Sequence, residues 1–179
     1  EKPLESVMVT GVAYDKGEAR VLLVGVDDKP GVVADIFGEL ADENISVDMI
    51  IQSAPSDAPS SRVSNPGPES KTDVTFTVAK TDLAKAKTVM NTIAERVGAL
   101  GIRYDEDIVK VSIVGLGMRS HAGVAARMFR ILSNEGINIQ AISTSEIKVS
   151  CLVATKYAEL AVRSLHDGFG LGEAPPARA

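Results

Sequence analysis

Apolar and polar positions change period in a regular succession along the chain. Residues 7–13 read as a strand, and a polar turn, Asp15-Lys16-Gly17-Glu18, follows. Residues 19–26, Ala-Arg-Val-Leu-Leu-Val-Gly-Val, form the short, β-branched apolar run of a buried strand. After the turn residues 27–31 the period becomes helical. Val33, Ile36, Phe37 and Leu40 make one stripe, and Asp35, Glu39 and Asp42 lie on the other side. Asn44 stops this helix, and a strand is predicted over 45–53. Strict alternation over 72–79 puts Val74, Phe76 and Val78 on one face and Thr75 and Thr77 on the other. Thr81 or Asp82 is expected to cap a helix striped by Leu83, Ala86, Met90, Ile93 and Val97. Gly98 and Gly101 end it, and a short strand over 102–106 completes the order βαββαβ.

The order then begins again. A strand over 108–116 carries Val109, Val111 and Ile113 on one face, and a glycine-containing turn spans 117–123. A helix with Ala125, Met128, Phe129 and Leu132 follows, then strands over 137–144 and 147–154. The last helix starts at Lys156, aligns Ala158, Ala161, Val162 and Leu165, and stops at Gly168. The repeat is also literal. Displacing residues 31–53 by 92 positions puts Gly31 on Gly123, Val32 on Val124, Ala34 on Ala126 and Phe37 on Phe129. Leu40 falls on Leu132, Glu43 on Glu135, Ile45 on Ile137, Ile50 on Ile142 and Ser53 on Ser145. One unit has been duplicated.

The second copy lacks a sixth element, and the strand at 7–13 has no unit of its own. Two arrangements are open. The N-terminal strand fills the vacant place in the second sheet, so that the first unit is inserted in the second; or it forms a hairpin with 19–26. The first arrangement divides the chain into an inserted domain over 17–107 and a second domain from 6–16 plus 108–168. Residues 55–70, with four prolines and several serines, cannot build a core and are expected to be a mobile loop; 169–179 are a tail.

Composition narrows the class. An apolar fraction of 45% is enough for real cores, and with only 4% aromatics aliphatic residues must fill them. The formal net charge of −5 argues against a nucleic-acid face and against anionic lipid. No apolar run approaches the roughly 20 residues of a membrane span. The start has neither the basic nor the apolar part of a signal peptide, and the single Cys151 cannot form an internal disulfide. The expected compartment is the cytoplasm. A start on Glu1 rather than Met suggests a piece of something longer.

Catalytic signatures are missing. The chain has no GxxxxGK[ST] loop, no HExxH and no cysteine cluster. His121 and His166 have no ligand spacing, and Cys151 alternates in phase with Val149 and Val153 as a small core residue. No metal or cofactor is expected. The informative places are the strand-to-helix turns Asp27–Val33 and Met118–Ala125. A helix N-terminus offers unpaired amides and a partial positive charge, a natural seat for a carboxylate. Gly31 and Gly123 stand where a side chain would obstruct an approaching ligand, and Asp28 is placed to meet an ammonium. Read singly, each turn is explained by turn chemistry alone. Their recurrence in register, each followed by a strand with polar residues near its end (Gln52; Asn138, Thr144, Ser145), favours a ligand.

The runs Leu-Val-Gly-Val-Asp-Asp-Lys-Pro-Gly (23–31) and Val-Asp-Met-Ile-Ile-Gln (47–52) resemble the first ACT domain of the aspartokinase family. Residues 110–124 and 137–150, containing Gly-Met-Arg-Ser-His and Ile-Ser-Thr-Ser-Glu-Ile, resemble its second. Thr10-Gly11-Val12-Ala13 is similar to the segment that follows the kinase domain in that family. The resemblance spans most of residues 7–172 and implies an α+β, ferredoxin-like fold: two tandem ACT domains with antiparallel sheets covered by helices. It implies a regulatory region or separate β subunit that binds L-threonine, with L-lysine as a second effector, and inhibits a kinase domain or catalytic α subunit. It also implies a homodimer formed through the ACT domains. By position, the threonine pocket would take Asp28, Gly31, Val32, Val33, Gln52, Asn138 and Ile139. Ser143, Thr144, Ser145 and Glu146 lie where a lysine response is often set. Val32 and Val33 depart from the small or polar residues frequent there, and the 55–70 insertion replaces a short hairpin loop. Two rival readings remain: a module that only holds subunits together, and a free-standing ACT regulator, against which the aspartokinase-like runs argue.

Overall fold

The computed structural model describes residues 8–53, 70–116 and 122–172. Residues 1–7 with the predicted start of the first strand, 54–69 with all of the predicted loop except Ser70, 117–121 of the second turn and 173–179 of the tail lie outside the described residues. The chain forms two compact units, one over Gly17–Glu106 and one joining Glu1–Lys16 to Asp107–Ala179. We call them the inserted and the split unit.

The inserted unit runs β2 (Glu18–Asp27), α1 (Val32–Asp42), β3 (Val47–Ser53), β4 (Lys71–Ala79), α2 (Leu83–Ile93) and β5 (Gly101–Asp105). Its antiparallel sheet has the order β3-β4-β2-β5. Val21, Leu23 and Val26 of β2 and Val74, Phe76 and Val78 of β4 are buried with Ile36 and Leu40 of α1 and Ala86, Met90 and Ile93 of α2. Phe37 meets Phe76 edge-on at 5.3 Å between ring centroids. The helical and alternating stripes of the sequence are therefore the two faces of one core.

The split unit is built from β1 (Met8–Asp15), β6 (Ile108–Leu116), α3 (Ala122–Asn134), β7 (Ala141–Thr144), β8 (Lys148–Ala154) and α4 (Ala158–Gly168). The order is β1-β6-β8-β7. The N-terminal strand pairs with β6, Val12 opposite Ile113 and Asp15 opposite Lys110, and forms no hairpin with β2. It occupies the place that β5 holds in the inserted unit. Val109, Val111, Ile113, Met128, Leu132, Cys151, Val153, Ala161 and Leu165 form the core.

Both copies end their first helix with the same device. The Asn44 amide reaches the Ala41 carbonyl and the Ile45 amide that of Leu40, with Asn44 at φ 55°. In the split unit Gly136, at φ 68°, bonds Ser133 and Ile137 bonds Leu132. These paired bonds satisfy carbonyls that a helix end leaves open. They also shorten the strands that follow. Because Ile45 and Ile137 point their amides back into the helix, β3 begins at Val47, not 45, and β7 at Ala141, not 137.

Other boundaries differ from expectation. No side chain of Thr81 or Asp82 caps α2; Asp82 itself takes a helical conformation at the end of a 3₁₀ turn over Lys80–Asp82. A matching 3₁₀ turn over Thr155–Tyr157 delays α4 to Ala158. The end of α4 is closed two residues beyond Gly168, by Gly170 at φ 68°. Phe169, the first residue of the predicted tail, packs on the split core under the Arg127 guanidinium, 5.0 Å from its ring centroid.

Candidate ligand-binding site

β2 and β3 are both antiparallel to β4, so their C-terminal ends share one end of the sheet. The register places Asp27 opposite Lys71 and Ser53 opposite Asp73. The turn leading to α1 and Gln52 on β3 therefore converge on that end, with the start of β4 between them. Among the predicted residues, Asp28 and Gly31 are exposed, Val33 is half-buried, and Val32 belongs to the core. Val32 thus acts as the anchor of the turn and not as a lining side chain.

Gly31 takes φ 99°, ψ −31° immediately before α1, and no side chain caps the helix. That backbone conformation is costly for any residue with a Cβ. Among the described residues a Cβ there would meet nothing within 4 Å, and the Val32 amide donates to the Lys29 carbonyl at 3.4 Å. Gly123 differs in backbone: it lies inside α3 without a positive φ, and a Cβ there would also meet nothing within 4 Å.

Gln52 is exposed on the edge strand β3. Asn138 is exposed, and Ile139 packs against the split core, in the connection between α3 and β7. Within the split unit they lie at the N-terminal end of β7. Ser143, Thr144, Ser145 and Glu146 are exposed at its other end, the end from which α3 starts. There the Ser145 amide donates to the Lys148 carbonyl at 2.7 Å, closing a tight β7–β8 turn.

Reading the sequence did not single out the ion-pair cluster behind the first turn. The Lys71 ammonium donates to Asp27 Oδ1 at 2.7 Å and to the Gly98 carbonyl at 2.9 Å. Lys29 approaches Asp27 Oδ2 at 3.1 Å. Hydrogen bonds from Lys71, then from Lys29, hold the Asp27 carboxyl below its ordinary range. The only signal in the sequence was an acid at a strand end and a lysine just before an alternating run.

Burial pushes the Cys151 thiol up to about 12, consistent with a core residue. Among the described residues no group of three His, Cys, Asp or Glu side chains is arranged for a metal. His166 lines a groove of about 330 Å³ with Tyr14, Lys16, Ala158, Val162 and Arg163. None of the predicted ligand residues borders it.

A four-stranded antiparallel sheet covered by two helices recurs in both units. An ACT-domain family profile matches residues 20–96, and a second ACT-domain profile matches 111–169. The chain is 46% identical over 170 residues to an aspartokinase of Helicobacter pylori, covering 95% of this chain and 38% of that protein. It is 50% identical to a chain in the crystal structure of aspartokinase alpha and beta subunits, covering 90% of this chain and 99% of that one with a TM-score of 0.78. The regulatory subunit of aspartate kinase from Thermus thermophilus, in its ligand-free form, is 38% identical, with a TM-score of 0.79 over 90% of this chain and 98% of that one. The chain belongs to the aspartokinase family, as its regulatory region. It spans about 38% of the length of the curated relative from Helicobacter.

Proposed function

We propose that this regulatory region binds L-threonine at an interface between ACT units of two chains, with L-lysine as a second effector, and thereby inhibits an aspartate kinase. The observation that carries the reading is the turn before α1, where the exposed Gly31 takes φ 99° and no side chain among the described residues caps the helix. The partial positive charge there suits the α-carboxylate of an amino acid. Asp28 is the partner for its ammonium, and the amides of Gly31 and Val33 hold the carboxylate together with that of Val32, which exchanges its long 3.4 Å bond to the Lys29 carbonyl for the ligand. Gln52 and Asn138 read the hydroxyl, with Ile139 supplying a backbone contact. Ser143, Thr144, Ser145 and Glu146 carry the lysine response.

The regulated reaction is ATP-dependent phosphorylation of L-aspartate by a kinase domain or catalytic α subunit. Inhibition requires that threonine bind the two states of the assembly unequally, a coupling of about 1–3 kcal/mol in typical cases. No described helix is long and apolar enough to cross a membrane, and the expected compartment is the cytoplasm.

A second reading, dimerisation without sensing, is favoured by the same exposure of Gln52 and Asn138. Ile50 on edge strand β3 and Ile142 on edge strand β7, equivalent in the repeat, are 53% and 43% exposed, as an interface between copies needs. Calorimetric titration of the chain with L-threonine and then L-lysine separates the two. Saturable threonine binding that Gln52→Ala weakens supports sensing. No heat from either amino acid at millimolar concentration, with the chain still dimeric, leaves the structural reading.

A further inference from the structure

Ser70 and the first three residues of β4 fasten four different parts of the sheet end that carries the Asp27–Val33 turn. The Ser70 carbonyl accepts the Asp28 amide at 2.9 Å. Lys71 binds Asp27 Oδ1 and the Gly98 carbonyl. The Thr72 hydroxyl donates to the Ser53 carbonyl at 2.9 Å, beside Gln52. Asp73 Oδ1 accepts the Gly25 amide at 2.8 Å, where β2 bulges.

Lys71 is the member that crosses between elements. Its ammonium joins the last residue of β2 to the turn that ends the α2 segment. The Asp27 amide in turn donates to the Val97 carbonyl at 2.9 Å. Gly98 makes this closeness possible: it sits at φ 66°, and a Cβ there would come within 2.6 Å of Asp27 Oδ1. A cation held by a carboxylate and a carbonyl at once has little freedom to swing. Asp28, Gly31 and the first turn of α1 follow Asp27 directly.

We propose that Lys71 is a positioning residue of the effector site, acting through Asp27 to fix the Asp28–Val33 turn so that its amides converge on the ligand carboxylate. This rests on the reading of that turn as the effector seat. Lys71 touches no ligand itself; its contribution is to hold ready a geometry that binding would otherwise have to impose.

The test uses the whole chain, with L-threonine titrated calorimetrically well below the melting temperature of each variant. Lys71→Met and Asp27→Asn each weaken threonine affinity by about fivefold or more, as expected for a partly screened charged hydrogen bond. The double variant loses little beyond either single one, because both remove the same link. Lys71→Arg, which keeps a cation with several donors, restores most of the affinity. In a purely structural role, melting temperatures fall while affinity in the folded protein stays at the wild-type value; that result overturns the proposal.

Hydrogen exchange at the Asp28 amide without ligand separates the two levels of the argument. Absence of threonine binding in the wild type sinks the effector-site reading. Positioning is then judged by exchange alone: Lys71→Met accelerates it and Lys71→Arg returns it to the wild-type rate. Unchanged Asp28 exchange in Lys71→Met overturns the positioning claim whether or not threonine binds.

Discussion

The two units descend from one sequence and keep the same fold, yet they differ where chemistry is expected. In the inserted unit the glycine before α1 has a conformation only glycine adopts cheaply, and β3 leads into a long connection. In the split unit Gly123 has moved inside α3, and β7 returns to β8 through a tight turn at Ser145–Ile147. The buried positions of β2, α1 and β4 recur in β6, α3 and β8, and the C-caps of the two first helices coincide. Duplication therefore preserved what packing demands and released the turns, where a change costs little stability and alters what can be bound.

The largest expected effect tests whether the cores are equivalent. Leu40→Ala and Leu132→Ala remove the same side chain, fully buried in both copies. Each should destabilise its own unit by about 2–5 kcal/mol in urea unfolding. A loss in only one of the two would break the equivalence.

The glycines sharpen the contrast. Gly31→Ala forces a Cβ into a disfavoured conformation and should cost about 1–2 kcal/mol. Gly123→Ala, inside a helix with open space around it, should be neutral or stabilise by about 0.5 kcal/mol. Equal effects in thermal melts would mean that the two turns are alike after all.

Exchanging the cap residues gives a smaller difference. Asn44→Gly should raise the stability of the inserted unit by about 0.5 kcal/mol, and Gly136→Asn should lower that of the split unit by a similar amount. Melting curves of the two variants should shift in opposite directions.

The smallest effect is pH dependence confined to the inserted unit. Asp27 has a lowered folded-state pKa, so its contribution to stability is present above its ordinary value of 3.8. That contribution is lost as pH falls through the folded value. Asp27→Asn should flatten this acid limb in melts recorded at descending pH, and an unchanged limb would assign it to other carboxylates.

Much of the fold was legible because burial leaves a periodic trace. Val74, Phe76 and Val78 alternate, and Leu83, Ala86, Met90 and Ile93 recur at helical spacing; all are buried. The partner of β1 was legible through a deficit, since the second copy lacked one strand. What escaped notice was local backbone chemistry. The 3₁₀ entries to α2 and α4 and the backward-pointing amides of Ile45 and Ile137 leave no hydrophobic pattern. The Lys71–Asp27–Gly98 cluster was invisible for another reason: its members are far apart in sequence, and each alone reads as a solvated charge or a turn glycine. The candidate effector turn was found because it is contiguous. Its buried Val32, which anchors instead of lining, could be recognised only from the packing.

The pairing of β1 with β6 also bears on how the protein comes to be made. Thr10 bonds the Val114 carbonyl at a sequence separation of 104, and the whole inserted unit is translated between the two strands. On the ribosome that unit is complete, and free to fold on local contacts, while β1 still waits beside it with an open edge. Closing such a long loop is slow, and an exposed strand edge is a site of misassociation. The split unit is thus the vulnerable half during biogenesis, however similar the two halves are once folded.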